Sequence, residues 1–187
     1  MDCNTTVDAS HSRSQHSGHL MYGPEFRPGV RIGHVHLRVA DLDRATAFYR
    51  DVLGFDVTAY GPDFGVPGAA FLSSGGYHHH IGLNTWESEG GTSPPEGHTG
   101  LYHFALLYSD RRELGRAVRR LLDRGYPIDG AEDHGATVSA YLRDPDGNGV
   151  ELYYDRPRPQ WFDPQGNPVL KAESFDPREL AEGRREA

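Results

Sequence analysis

The sequence predicts an α+β fold made of two similar units, each a strand, a helix and then further strands ending in a hairpin. Three observations carry this. First, His34 and Asp41 recur as His103 and Asp110 at the same interval, one histidine opening and one aspartate closing each short β-like run, "HVHLRVAD" and "HFALLYSD". Second, an amphipathic helical stripe follows each aspartate. Third, turn-rich stretches, "SSGGY" and "RDPDG", sit at matching places downstream, each followed by a strand-like run. Self-similarity at a fixed spacing marks a duplicated structural unit.

Each element follows from its residues. Asp41 and Asp110 are suited to accept hydrogen bonds from the free N–H groups of a first helical turn. The first helix then carries Ala45, Phe48, Tyr49, Val52 and Leu53 on one face, and the second carries Leu114, Ala117, Val118, Leu121 and Leu122. "DRRELGRAVRRLLDR" therefore reads as a helix with an arginine-rich wet face rather than a nucleic-acid patch. In the same register Phe71 and Leu72 correspond to Ala140 and Tyr141, and Gly82 to Glu151. "HIGLNTW" and "GVELYYD" are the closing strands.

The bulk numbers narrow the function classes. The 187 residues, 25% charged and 36% hydrophobic, suit one buried domain. A formal net charge of -8 argues against nucleic acid or an anionic membrane as partner. Cys3 is the sole cysteine, so no internal disulfide forms, and no apolar run reaches membrane-spanning length. A cytoplasmic protein is expected. Residues 1–29 lack apolar periodicity and are expected to be a mobile tail, leaving the domain over 30–158 with units near 31–87 and 100–156. Residues 159–187 form an extension expected to pack through Trp161, Phe162 and Leu170 and to end in a short helix near Asp176.

A pseudo-twofold between the units places His34 opposite His103 and position 82 opposite Glu151. Two imidazoles and one carboxylate with open positions make the ligand set suited to non-haem Fe(II), and Mn(II) fits it also. Gly82 supplies no fourth donor.

At these residues the chain resembles a known family. "IGHVHLRVADLDRATAFYRDVLGF" is similar to the opening strand–helix unit of the vicinal oxygen chelate superfamily, and "YLRDPDGNGVELYYDRP" to its closing hairpin. The superfamily includes glyoxalase I, fosfomycin-resistance proteins and extradiol dioxygenases. The resemblance implies paired βαβββ modules around a divalent metal, with His34, His103 and Glu151 as ligands. Among the branches, the catechol 2,3-dioxygenase-like proteins are the most similar, implying Fe(II), a small aromatic diol and dioxygen as partners, and a homodimer or higher homo-oligomer. Tyr141 and His134 match the tyrosine and histidine that those enzymes place near the metal. The histidine triplet "YHHHIGL" supplies an acid–base group: the family spacing selects His79, whereas strand alternation puts His80 on the face of Gly82. His36 shares a face with His34 and is expected to touch substrate. Two other classes are consistent with the resemblance. One is a non-oxidative metal-dependent isomerase or lyase, and the other a metal-free drug-binding protein.

Overall fold

Residues 31–184 are described by the computed structural model, so the expectation of a mobile tail over 1–29 lies outside the described residues. Strand β1 (Val35–Arg38) leads into helix α1 (Leu42–Ala47), which widens into a π turn over Phe48–Val52. Strands β2 (Asp56–Tyr60), β3 (Ala69–Ser73) and β4 (Ile81–Asn84) complete a first sheet in the order β1-β4-β3-β2. The second unit repeats the plan with β5 (Phe104–Tyr108), α2 (Arg111–Asp123), β6 (Gly130–Gly135), β7 (Thr137–Arg143) and β8 (Gly149–Asp155). In both sheets the strand before the helix runs parallel to the last strand of its hairpin, β1 to β4 and β5 to β8.

The two aspartates cap as their positions predict. Asp41 Oδ1 accepts from Arg44 N at 3.0 Å, and Asp110 Oδ1 from Glu113 N at 2.9 Å. Tyr49, Leu114, Val118 and Leu121 are fully buried in one core that draws on both units, each such side chain contributing about 2 kcal/mol by leaving water. The π turn inserts one residue into the helical repeat, which sets Phe48 and Tyr49 side by side on the buried face.

The sequence register slips in the hairpins. Leu72 pairs with Ile81 in the first and Leu142 with Val150 in the second, so the first connection is one residue longer. Phe71, not Leu72, is therefore the counterpart of Tyr141: Phe71 lies opposite Gly82 as Tyr141 lies opposite Glu151. A slip of one residue exchanges the two faces of a strand, so the correction decides which side chains face the site.

The extension also differs from expectation. It adds strand β9 (Leu170–Phe175) to the free edge of β6, extending the second sheet to β5-β8-β7-β6-β9. Leu170 is 83% exposed and Phe162 39% exposed; the anchors are Leu180 of the short helix α3 (Arg178–Ala181), 2% exposed, and Trp161, whose Nε1 donates to the Arg156 carbonyl. Among the described residues no helix is long and apolar enough to cross a membrane.

The two units are joined through α1 and the β7–β8 turn. The buried Tyr49 hydroxyl donates to Asp144 Oδ2 at 2.8 Å, and Ala40 N and Arg44 both bond Asp146 Oδ1, at 2.9 and 2.7 Å. Burial, and next the Asp144 charge, push the Tyr49 phenol far above its ordinary pKa, so it remains a donor at any physiological pH. Strands β1 and β5 are each left as an outermost strand of their sheet.

Candidate metal centre

The second unit assembles most of the expected chemistry. Glu151 on β8 faces the same side as its cross-strand partner Tyr141 on β7, and His103 stands just before β5 beside it. His103 Nε2 lies 3.1 Å from Glu151 Oε2. The other carboxylate oxygen accepts from the Ser139 hydroxyl at 2.6 Å and the Tyr141 hydroxyl at 3.2 Å. Tyr141 in turn lies 2.6 Å from His134 Nε2. Burial, and then the Glu151 charge, push the Tyr141 phenol up to about 12, so it is a donor to whatever lies beside it. A cavity of about 280 Å³ opens next to the pair, lined by Tyr102, His103, Glu132 and Tyr141 among others. A larger cavity of about 420 Å³ lies away from these donors, between α2 and α3.

Ser139 was missed by the sequence reading. It sits two residues before Tyr141 on the same strand face, and that alternation was the available signal.

The first unit holds the other histidines. The rings of His34 and His79 are 4.6 Å apart, and Phe71 lies 5.1 Å from His79. Desolvation, then the charges of His78, His34, His36 and His80, lower the His79 pKa. His80 points elsewhere: its Nδ1 lies 3.1 Å from Ser73 Oγ and 3.3 Å from Ser74 N, inside the β3–β4 connection. His80 is thus held within the β3–β4 connection, whereas His79 stands beside His34. His78 stacks against Tyr77 and its carbonyl accepts from Thr58.

His36 explains Gly82. The two are partners across β1 and β4, and a Cβ at position 82 would lie 2.8 Å from His36 Nδ1. The close approach at Gly82 is made by an imidazole. Asn84 Nδ2 lies 2.9 Å from His36 Nε2, an arrangement in which Asn84 donates and the neutral ring keeps its proton on Nδ1. In the second sheet the sizes are exchanged, with Ala105 paired to Glu151. The imidazole of His36 occupies in one unit the space that the carboxylate occupies in the other.

The expected convergence of His34, His103 and Glu151 is not found within one chain. Among the described residues no three His, Cys, Asp or Glu side chains come close enough to hold one ion. The two sheets are separate, and β1 and β5, each an outermost strand, do not pair with each other. As a fit for a divalent metal, one chain offers a two-donor pair at 3.1 Å with an oriented carboxylate, and His34 stands in the other unit.

Residues 31–152 match the model of the Glyoxalase/Bleomycin resistance protein/Dioxygenase superfamily. This chain belongs to that superfamily. It is 40% identical over 155 residues to the catechol-2,3-dioxygenase of Bacillus subtilis, covering 82% of this chain and 52% of that protein. It is 34% identical to the biphenyl-2,3-diol 1,2-dioxygenase 3 of Rhodococcus globerulus, covering 67% of this chain and 63% of that one. The chain thus spans about half to two thirds of the length of these two relatives. Among solved structures, a lactoylglutathione lyase from Agrobacterium tumefaciens aligns with a TM-score of 0.53 at 27% identity, covering 68% of this chain and 96% of that one. The superfamily's fold is the α+β arrangement described above.

Proposed function

We propose that this protein is an Fe(II)-dependent extradiol dioxygenase that opens a catechol-type ring with dioxygen. The observation that carries the reading is the His103–Glu151 pair, its carboxylate fixed by Ser139 and Tyr141 beside a cavity sized for a single ring. The likeness to two ring-cleaving dioxygenases supports it. Glycine at position 82, with His36 over it, removes the carboxylate donor that a glyoxalase-type centre would use there.

His103 and Glu151 would hold the metal together with His34. Fe(II) bound there, or Mn(II), would supply a cation that binds both diol oxygens and dioxygen and makes the diol more acidic. The chain's own groups do the remaining work. Tyr141 and His134 hydrogen-bond the substrate oxygens, His36 touches the ring, and His79, beside His34, takes up and returns the proton.

Because His34 stands apart from His103 and Glu151, the centre is read as shared between two copies of the chain. The open edges of β1 and β5 support this, as do the exposed apolar side chains next to and on β5: Tyr102 at 83% exposure, Leu107 at 58% and Leu101 at 54%. A twofold dimer would bring β1 of each copy to β5 of the other and make two equal centres.

Two measurements test the reading. Protein purified without oxygen is expected to contain iron and to consume dioxygen with catechol. Zinc or nickel with no oxygen uptake would move it to the non-oxidative branch. His34→Ala and Glu151→Ala variants are each expected to be inactive. Mixing them equally with subunit exchange should restore about a quarter of the activity, since half the dimers are mixed and each mixed dimer has one intact centre. No recovery in mixed dimers would overturn the shared centre.

A further inference from the structure

We propose that the C-terminal strand β9 is part of the catalytic apparatus, because the main-chain carbonyl of Lys171 orients His134. This rests on the reading of His134 as a residue of the dioxygenase site.

The argument begins with an irregularity in the sheet. β9 pairs with β6 through Asp133↔Glu173 and Gly135↔Leu170, and the register shifts between those two positions. His134 sits at that shift. A bulge leaves main-chain groups without their ladder partners and re-aims a side chain. Here the Lys171 carbonyl lies 3.1 Å from the Nδ1 of His134. A carbonyl can only accept, so His134 Nδ1 carries the proton and donates it. The tautomer of a neutral imidazole is set by the hydrogen bond that one of its nitrogens makes. In the neutral ring the Nε2 lone pair then faces the Tyr141 hydroxyl at 2.6 Å and competes for its single proton with Glu151 Oε1, 3.2 Å from that hydroxyl, while Glu132 Oε2 lies 3.6 Å from the same nitrogen. A line of polar contacts runs from the extension through His134 and Tyr141 to the candidate ligand, and the tautomer of His134 decides which neighbour the Tyr141 proton serves.

Several contacts hold β9 where this requires. Asp133 is 4% exposed. Its Oδ2 takes Arg156 at 2.8 Å and Lys171 Nζ at 3.2 Å, while its Oδ1 takes Gly135 N at 2.8 Å. Burial works against that carboxylate, but the Gly135 N–H, Lys171 and Arg156 outweigh it and lower its pKa. Gly135 has φ +85°, and a Cβ there would lie 2.5 Å from Val169 Cγ1. Only glycine lets the strand approach this closely. Lys171 thus ties the bulge down through its ammonium and aims His134 through its carbonyl.

The first test needs no variant. Nitrogen-15 NMR of the histidine-labelled full-length protein, with His134 assigned by His134→Gln, is expected to find its neutral form protonated on Nδ1. An Nε2-protonated ring would overturn the proposal. The second test replaces the Lys171–Ala172 amide by an ester, which weakens that carbonyl as an acceptor and leaves all side chains in place. A matched ester at Glu173–Ser174 serves as control. With catechol as substrate, the first ester should lower kcat about tenfold with KM changed by less than about twofold, while the control stays near wild type. Equal effects of the two esters would make β9 merely structural and overturn the proposal. A His134→Gln protein with unchanged kcat would instead defeat the reading of His134 on which the catalytic part rests, whatever the tautomer.

Discussion

Ser139→Ala is the sharpest probe of the candidate centre, because it removes one hydroxyl and little else. Ser139 is fully buried, and its Oγ donates to Glu151 Oε1 at 2.6 Å. After substitution that oxygen keeps only the Tyr141 hydroxyl at 3.2 Å. A hydrogen bond to a charged acceptor is worth about 1.5–3 kcal/mol, and about 1.4 kcal/mol is a factor of ten in a binding constant. If the bond serves chiefly to hold the carboxylate toward a cation, metal affinity should fall about 10- to 100-fold, the usual cost of losing a partner of a ligand. The assay is anaerobic Fe(II) titration, with Mn(II) as a second cation, together with thermal unfolding of the metal-free protein. A variant that folds as wild type and binds both ions with unchanged affinity would refute the reasoning that Glu151 is a ligand held by Ser139.

Tyr49→Phe tests how the two units are joined: Asp144 keeps the N–H groups of Asp146 and Asn148 and the Asn148 amide, so the loss should stay near 1.5 kcal/mol, lowering Tm by about 3–6 °C. A Tm within about 1 °C of wild type would show that the buried bond to the β7–β8 turn contributes nothing. His79→Ala should keep the metal and cut kcat about 100-fold, whereas His80→Ala should leave kcat within about threefold and loosen only the β3–β4 connection; equal losses in both would return His80 to the site. Gly82→Ala should displace the His36 ring, break its contact with Asn84 and raise KM for catechol while the protein stays folded. An unchanged KM would deny His36 a place at the substrate.

The parts of the fold written in local pattern were legible. Asp41 and Asp110 announce their helices because a cap needs only the residues three positions on, and the stripes of Leu114, Val118 and Leu121 follow from the helical repeat. The β9 strand was not legible. Most of its side chains are exposed, and "LKAESF" mixes charged residues into an edge strand, as edges generally require. No apolar alternation marks it, and Leu170 looked like an anchor only because it is apolar. The Glu151 and His103 positions emerged from the repeat, since their relation lies inside one unit. The relation of His34 to them lies between units, and no periodicity within either unit encodes it.

The exchange of side-chain sizes between the units bears on why the duplicated halves are unlike. The first carries imidazoles, His34, His36 and His79, and its position 82 is glycine. The second carries the carboxylate of Glu151 with Ser139, Tyr141 and His134 around it, and alanine at 105 where the first has His36. A pairing of two first halves would present histidines with no anionic ligand. A pairing of two second halves would bring two Glu151 carboxylates together, where like charges oppose both being ionised without a metal. Only a pairing of unlike halves yields two imidazoles and one carboxylate. In a twofold dimer each copy gives its first half to one centre and its second half to the other, so both centres have the same composition. If the centre is shared as proposed, divergence of the halves would select the mode of association as well as the donor set, through residues that pack against one another across β1–β4 and β5–β8.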